Sequence, residues 1–552
     1  MNPTLVERVV AWMAADPDPD DRATLLALLE SGDETELARR FAAPLTFGTA
    51  GLRGPVMAGP AGMNRLTVRR ATQGVVAWMD ELGVDHARGV VVGRDARRGS
   101  EQFNDEVVSV LLGAGMRVYE MPGPLPTPFV AYCVRALHAG AGIMITASHN
   151  PALDNGYKLY ASDGAQIIPP HDQTVERYAA AASPPVLAGR DSALHGFVGS
   201  EVLASYFDHF VARFTVDGGS DLSVTYTPLH GVGGAPMTEL FAAAGFRSVT
   251  TVSEQFAPDG TFPTLPFPNP EEPGALDLAI ACADAVSSCL VIANDPDADR
   301  LGAAVRGPEG WRTLRGDEIG WLLASELLKS ATSSDDVVAT TIVSSMMLAE
   351  MARQANVRFV TTLTGFKWIS RAAGEGVLRF GYEEALGFAV DPLVADKDGM
   401  SAALALAKLA SDLEREGQTL LDRLDEIESR YGVHSGAQLS LRAEGAEGLL
   451  AIAAAMQRLR ASPPKVLGGI DISEVVDLAQ GWRGLAPTDG LIFELGTTGR
   501  VVVRPSGTEA KLKAYIEIVG DPDDPGTLQE RRSGAQAALA AVRDDLATLL
   551  KL

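Results

Sequence analysis

GIMITASHNPALDNGYKLY, residues 142–160, is an apolar run that stops abruptly at Thr146, Ala147, Ser148, His149, Asn150 and Pro151. That order is what a buried strand needs to deliver a hydroxyl and an imidazole into a loop. Pro151 cannot continue a sheet ladder, and Asn155-Gly156 is a turn pair before Tyr157 to Tyr160 resume alternation. Ser148 is therefore expected on an exposed polar loop between two extended segments. Taken alone, the stretch reads more readily as a plain hairpin with a polar tip than as a site.

The segments before it set the fold class. GVVVGRDAR, residues 89–97, is a continuous apolar strand ending in a charged loop, and a helical pattern through Val107, Leu111 and Leu112 follows. Strand, loop, helix, strand is the rhythm of an α/β domain. PGPLPTPFV, residues 122–130, breaks it with four prolines before the strand leading to Ser148. Further upstream, residues 4–42 have helical spacing, and TFGTAGLRGPV, residues 46–56, sets three glycines around Thr49 and Arg53. Glycines let backbone approach a ligand, and an arginine there can fork onto phosphate oxygens. A plain Gly-rich turn explains the same residues.

Downstream, a helix over 201–214 opens a second α/β unit. Its Gly231, Gly233 and Gly234 resemble a dinucleotide fingerprint only superficially, because Pro236 stands where the third glycine belongs. CLVIANDPDADR, residues 289–300, is more informative: an apolar strand runs straight into Asp295, Asp297 and Asp299. Alternate carboxylates at a strand end can converge on one hard cation such as Mg2+, and without one they repel each other. An EF-hand loop is excluded, since Arg300 and Arg306 occupy its required glycine and glutamate positions.

A third unit starts with a helix at 316–328. It carries LTGFKWI with Gly365 and Lys367, then GYEEALGF with Glu383 and Glu384, and ends in helical sequence over 401–430. In the last segment two alternating strands flank a turn, and the second ends in Arg504-Pro505-Ser506-Gly507-Thr508-Glu509. A guanidinium, two hydroxyls and freed backbone N–H groups are the parts of an anion nest. A final helix reads as packing.

Composition limits the partners. With 552 residues, three to five domains are expected at roughly 100–200 residues each. Asp and Glu outnumber Lys and Arg by 71 to 47, a net charge of −24, which argues against a nucleic-acid surface and leaves room for a local anion pocket. Three cysteines without paired spacing, an N-terminus unlike a signal peptide, and no long apolar run point to a cytoplasmic protein without a membrane partner.

TASHNP, DPDADR, GYEEALGF and RPSGTE fall one to each expected domain, in order. Together they resemble the α-D-phosphohexomutase family of phosphoglucomutases and phosphomannomutases, nearest to the branch holding phosphoglucomutase-2-like and phosphopentomutase enzymes. The resemblance covers essentially the whole chain. It implies four domains around a central cleft: 1–198, 199–314 and 315–430 of similar α/β topology with mixed sheets, and 431–552 a smaller α+β domain. It implies hexose 1-phosphate and 6-phosphate as substrates, glucose before mannose, through phospho-Ser148 and a bisphosphorylated sugar that also serves as activator. Pentose 1- and 5-phosphates are the alternative, because Ala385 stands where many hexose mutases carry a serine.

On this resemblance Asp295, Asp297 and Asp299, with an oxygen from Ser148, hold one Mg2+. Lys158, His149 and Arg53 share the handling of the hydroxyl proton and the serine phosphate, and Lys158 is preferred to His149 as the proton-handling partner. Thr49, Arg300, Gly365, Lys367, Glu383, Glu384, Arg504, Ser506, Gly507 and Thr508 bind substrate. The oligomer implied is a monomer or homodimer. A Ser-His hydrolase is the competing class, but no GxSxG is present.

Overall fold

The computed structural model of the chain describes residues 2–48, 51–442, 445–506, 511–521 and 523–550. It divides into two compact units, Met1–Arg315 with Ala385–Glu414, and Gly316–Glu384 with Arg415–Leu552.

The first unit opens with three helices, Pro3–Ala15, Pro19–Ser31 and Glu34–Arg40. Asn2, Asp18 and Asp33 cap them, each accepting from an N–H of the first turn. Leu5, Val9, Trp12, Leu25, Leu37 and Phe41 bury their shared face. A six-stranded sheet follows, built from β1 (Leu52–Pro55), β2 (Val90–Arg94), β3 (Val118–Pro124), β4 (Ala141–Ile145), β5 (Asp154–Ala161) and β6 (His195–Phe197). Its spatial order is β1-β5-β4-β2-β3-β6. The pairs β2/β3, β2/β4 and β3/β6 are parallel, whereas β5 runs antiparallel to β4 and β1.

The two-residue period of the strands sorts this sheet's side chains. Val90, Val92, Ile143, Ile145, Tyr157 and Leu159 join one core with Val68, Val75, Val107, Leu111 and Val175 of the helices Arg65–Glu81, Ser100–Gly113 and His171–Ala180. Lys158 and Tyr160 alternate with Tyr157 and Leu159, so they lie on the opposite face, where the helix Thr127–Ala136 packs. Lys158 is thereby registered against Met144, four residues before Ser148.

Two expectations are corrected here. Asn155-Gly156 is not a turn: both residues lie inside β5, Gly156 opposite Arg53 and Asn155 opposite Gly54. A Cβ on Gly156 would sit 2.5 Å from the Thr146 carbonyl and 2.7 Å from that of Leu52, so glycine serves close strand approach there. The reversal is made earlier, where Asn150 N–H donates to Ala147 O and Asp154 N–H to Pro151 O. Nor is Ser148 exposed, since its relative accessibility is 0%.

The second sheet has the order β11-β10-β9-β7-β8, with β7 (Val224–Thr227), β8 (Val249–Thr251), β9 (Leu290–Asn294), β10 (Leu301–Gly307) and β11 (Gly310–Thr313). It repeats the plan of the first: β7, β8 and β9 are parallel and antiparallel strands extend one edge. Val291, Ala293 and Ala304 pack under Ala279 and Ala283 of the helix Asp277–Val286.

In the second unit, Asp336–Thr341 lies between Arg358–Thr362 and Val377–Glu383, parallel to both. An antiparallel sheet follows in the order His434–Arg442, Lys511–Val519, Gly499–Pro505, Leu491–Glu494, Glu474–Asp477. Leu539, Val542 and Leu546 of the helix Leu528–Leu549 close its core against Val501, Val503, Leu512 and Ala514. The four larger sheets make the α/β, α/β, α/β, α+β series that the family resemblance implies, and a two-stranded sheet pairs Val466–Leu467 with Ile470–Asp471. Among the described residues no helix is long and apolar enough to cross a membrane.

Candidate active site

Strand β4 is buried at every residue, and the chain leaves it through Thr146 and Ala147 into Ser148, whose φ of 53° is left-handed. The Thr146 hydroxyl accepts the Ser148 N–H at 2.9 Å and holds this turn. Ser148 Oγ donates to Asp295 Oδ2 at 2.7 Å and lies 3.1 Å from His149 Nδ1. Arg97, buried at 4% exposure, clamps the loop from beneath. Its guanidinium donates to the carbonyls of Ser148, Asn150, Pro151 and Asp154, while its plane covers Phe262 and Asp95 Oδ2 lies 3.4 Å from its Nε. One cation thus fixes four carbonyls of the loop, which is how a polar loop tolerates burial.

The aspartate loop follows β9. Ala298 takes a left-handed φ of 55° and closes a turn on the Asp295 carbonyl at 2.8 Å. The glycines of LHGVGG explain themselves here: a Cβ on Gly231 would sit 2.4 Å from Pro296 Cα, and one on Gly233 would sit 3.0 Å from Ala298 Cβ. They seat the aspartate loop. Thr127 N–H donates to the Asp297 carbonyl at 2.9 Å, so the proline-rich turn before Thr127 also has a use.

Asp295, Asp297 and Asp299 are all at 0% exposure, with ligand oxygens within 4.8 Å of one another. Lys158 Nζ bridges Asp297 Oδ2 at 2.7 Å and Asp299 Oδ2 at 2.6 Å, and Lys397 Nζ reaches Asp299 Oδ2 at 3.0 Å. Burial, then the charges of Asp297 and Asp299, push the Asp295 carboxyl well above its usual range. Burial acts upward on Asp297 and Asp299 too, but Lys158 at both, with Lys397 at Asp299, outweighs it and holds them below that range. Asp297 Oδ1 and Asp299 Oδ1 are buried and find no hydrogen-bond donor among the described residues. Buried carboxylate oxygens lacking donors fit a hard cation, so this group can hold a metal.

Cations surround the two loops. Arg300 Nη1 donates to Ala385 O at 2.7 Å, and its Nε lies 4.0 Å from Asp295 Oδ2 and Asp299 Oδ1. Arg53 Nη1 reaches Asn150 Oδ1 at 3.4 Å. Burial, then Arg300 and Arg53, push the His149 imidazole well below its usual range, so it is neutral at pH 7. Ser148, His149, Lys158, Arg53, Arg300 and the three aspartates are thus brought together.

The other expected residues lie in the second unit. Gly365 has a φ of 110°, and Lys367 follows it, buried at 8% exposure. Glu383 ends the strand Val377–Glu383. Glu384 Oε2 accepts from Ser344 Oγ at 2.8 Å and from Thr341 Oγ1 at 3.4 Å. Burial, then Glu383 and Asp317, push its carboxyl up to about 7. Arg504 pairs with Lys513 across the sheet, and Ser506 N–H donates to Lys511 O at 2.8 Å. Thr49, Gly507 and Thr508 lie outside the described residues.

Arg97, Lys397 and Thr127 escaped the sequence reading. The charged loop after GVVVG and the run ADKDG were their only local signals.

Comparison with known proteins bears on the whole chain. Models described as phosphoglucomutase/phosphomannomutase alpha/beta/alpha domains I, II and III match residues 44–185, 204–310 and 315–431, and that family's C-terminal domain matches 441–531. A Haemophilus influenzae protein named "Probable phosphomannomutase" is 39% identical over 474 residues, 84% of this chain and 94% of that one. The phosphopentomutase of Mus musculus is 35% identical over 578 residues, 96% of this chain and 93% of its own. Among solved structures, a phosphoglucomutase/phosphomannomutase family protein from Burkholderia thailandensis aligns with a TM-score of 0.70 at 22% identity, over 92% of this chain and 96% of that one.

Proposed function

The chain belongs to the phosphoglucomutase/phosphomannomutase family, and from that premise we propose that it interconverts hexose 1-phosphates and hexose 6-phosphates, glucose before mannose. The observation that carries the reading is a single hydroxyl, Ser148 Oγ, held 2.7 Å from Asp295 within a buried aspartate triad. Ser148 carries the phosphoryl group, gives it to the free hydroxyl of the sugar phosphate, and takes the other phosphate back from the bisphosphorylated sugar. Each transfer breaks one P–O bond and forms one, so no phosphate is consumed.

Asp295, Asp297 and Asp299, with the Ser148 oxygen, would hold Mg2+, which when bound offsets charge on the transferring group. His149, neutral and 3.1 Å from Oγ, orients the serine. Lys158 handles the proton of the attacking hydroxyl, and Arg53 and Arg300 offset phosphate charge. Gly365, Lys367, Glu383 and Glu384 bind the sugar. Arg504 and Ser506, with Thr49, Gly507 and Thr508 by motif alone, bind phosphate. We place domain boundaries at 198/199, 314/315 and 430/431, and the protein in the cytoplasm.

A second reading, a phosphopentomutase, is favoured by Ala385 and by the likeness to the mouse phosphopentomutase. The test is a side-by-side assay with Mg2+ and a bisphosphate activator on the 1-phosphates of glucose, mannose, ribose, deoxyribose and glucosamine. Highest kcat/KM on glucose supports the first reading and highest on a pentose the second. Release of inorganic phosphate without isomerisation contradicts both.

A further inference from the structure

Glu384 is held by a turn that belongs to another part of its own unit. Beyond the strand Asp336–Thr341 the chain turns through Ser344 and Ser345, with the Thr341 hydroxyl accepting the N–H of Val343 and Ser344. Ser344 is at 0% exposure. Its Oγ donates to Glu384 Oε2 at 2.8 Å and accepts the Glu384 N–H at 3.2 Å, so one hydroxyl fixes both the carboxylate and the backbone of that residue. Ala385 beside it offers no side-chain donor.

Behind the turn stands a buried polar network from the last sheet. Arg500 Nη2 donates to the Ser344 carbonyl at 2.7 Å, and Arg500 Nε lies 3.6 Å from Glu517 Oε2. Glu517 Oε1 accepts from Ser345 Oγ at 2.6 Å and from Met346 N–H at 2.8 Å, and His434 Nδ1 lies 2.8 Å away. Arg500 and Glu517 are cross-strand partners, so their geometry is set by sheet register. A turn needs no such network to reverse direction. Three residues of one sheet, Arg500, Glu517 and His434, instead hold the backbone and flank of the turn that presents the Ser344 hydroxyl.

We propose that Ser344 is a positioning residue for Glu384, fixing its carboxylate to accept hydrogen bonds from the sugar hydroxyls, and that Arg500 and Glu517 hold Ser344 in place for this task. The inference rests on the assignment of Glu384 to sugar binding. A carboxylate gripped on one oxygen loses rotamer freedom before substrate arrives, so binding is tighter for the same contacts. The donated hydroxyl also favours the ionised form, against the burial that raises this carboxyl to about 7.

The test is a double-mutant cycle on glucose 1-phosphate with Ser344→Ala, Glu384→Gln and the double variant. Far-ultraviolet circular dichroism and thermal melting establish that each variant is folded. Sugar-ring contacts act alike in ground and transition states, so Ser344→Ala should raise KM roughly tenfold and leave kcat within about twofold. Glu384→Gln should raise KM further, and the double variant should match Glu384→Gln within about twofold, because Ser344 then has nothing to position. Multiplying effects in the double variant, or an unchanged KM in Ser344→Ala beside a raised KM in Glu384→Gln, would overturn the positioning role alone. An unchanged KM in Glu384→Gln would overturn the sugar-binding assignment and the inference together.

Discussion

Replacing Lys158 by Met should tighten divalent-cation binding, although it removes a residue of the site. Lys158 Nζ makes two charge-assisted hydrogen bonds, 2.7 Å to Asp297 and 2.6 Å to Asp299, on the carboxylates assigned to the metal. A cation held by the donor-free Oδ1 atoms of Asp297 and Asp299 shares both carboxylates with this ammonium, whose charge opposes it. Hydrogen bonds to charged groups contribute about 1.5–3 kcal/mol each, so two represent about 3–6 kcal/mol. Sharing the carboxylates weakens part of that, a penalty of about 1.5–3 kcal/mol, or a factor of roughly 10–200 in affinity. Lys158→Met is free of the penalty. The assay is calorimetric titration of Mn2+ into dephosphorylated, chelator-treated protein. Lys397→Met provides the scale: its Nζ reaches one carboxylate of the triad, that of Asp299 at 3.0 Å, where Lys158 reaches two, so its effect should be smaller. Before metal is added, Lys158→Met should be less stable by about 3–5 kcal/mol, because buried carboxylates lose their partner, and Mn2+ should restore it. Mn2+ affinity equal to or weaker than wild type in Lys158→Met would refute the shared-carboxylate argument.

Three further outcomes are expected. Ser148→Ala and Ser148→Gly should both abolish turnover, and loss of the bond to Asp295 should cost each about 1–3 kcal/mol. The glycine variant should be the more stable by about 1 kcal/mol, because φ at this position is 53°, which denaturant titration will measure. Gly231→Ala should lose about 1–3 kcal/mol and bind Mn2+ more weakly, since its Cβ would press on Pro296 between two aspartates; unchanged stability and affinity would contradict this. Glu384 should make wild type lose stability relative to Glu384→Gln as pH rises from about 4.5 to about 7: its carboxyl binds a proton more tightly folded than unfolded, so ionisation favours unfolding. Denaturant melts across that range should show the unfolding free energy of wild type minus that of Glu384→Gln falling as pH rises, and a rising difference would refute the assignment.

The sequence made the strands and the loops they deliver legible wherever chemistry is local. β4 and β9 are continuous apolar runs ending in polar motifs, and both appear where the pattern places them. What escaped depends on contacts between distant residues. Arg97 holds Ser148 from 51 residues away, and Lys397 meets Asp299 from the far side of an intervening unit in the chain, so no periodicity records either. Asn155-Gly156 carries the composition of a turn, yet tertiary closeness to Thr146 and Leu52 selects the glycine. Ser148 is buried for the same reason: loops are usually solvated, but a guanidinium and an aspartate loop cover this one. LHGVGG looked like a failed nucleotide motif because its purpose, room for Pro296, is invisible until the aspartate loop is placed.

The central claim is that Ser148 carries the phosphoryl group. Peptide mass spectrometry on protein incubated with glucose 1,6-bisphosphate and Mg2+ reads this directly. One phosphoryl group on the peptide containing Ser148, lost again on addition of excess glucose 6-phosphate, is the predicted result. Full mutase turnover with an unmodified Ser148 peptide, or with the phosphate on another residue, would contradict it.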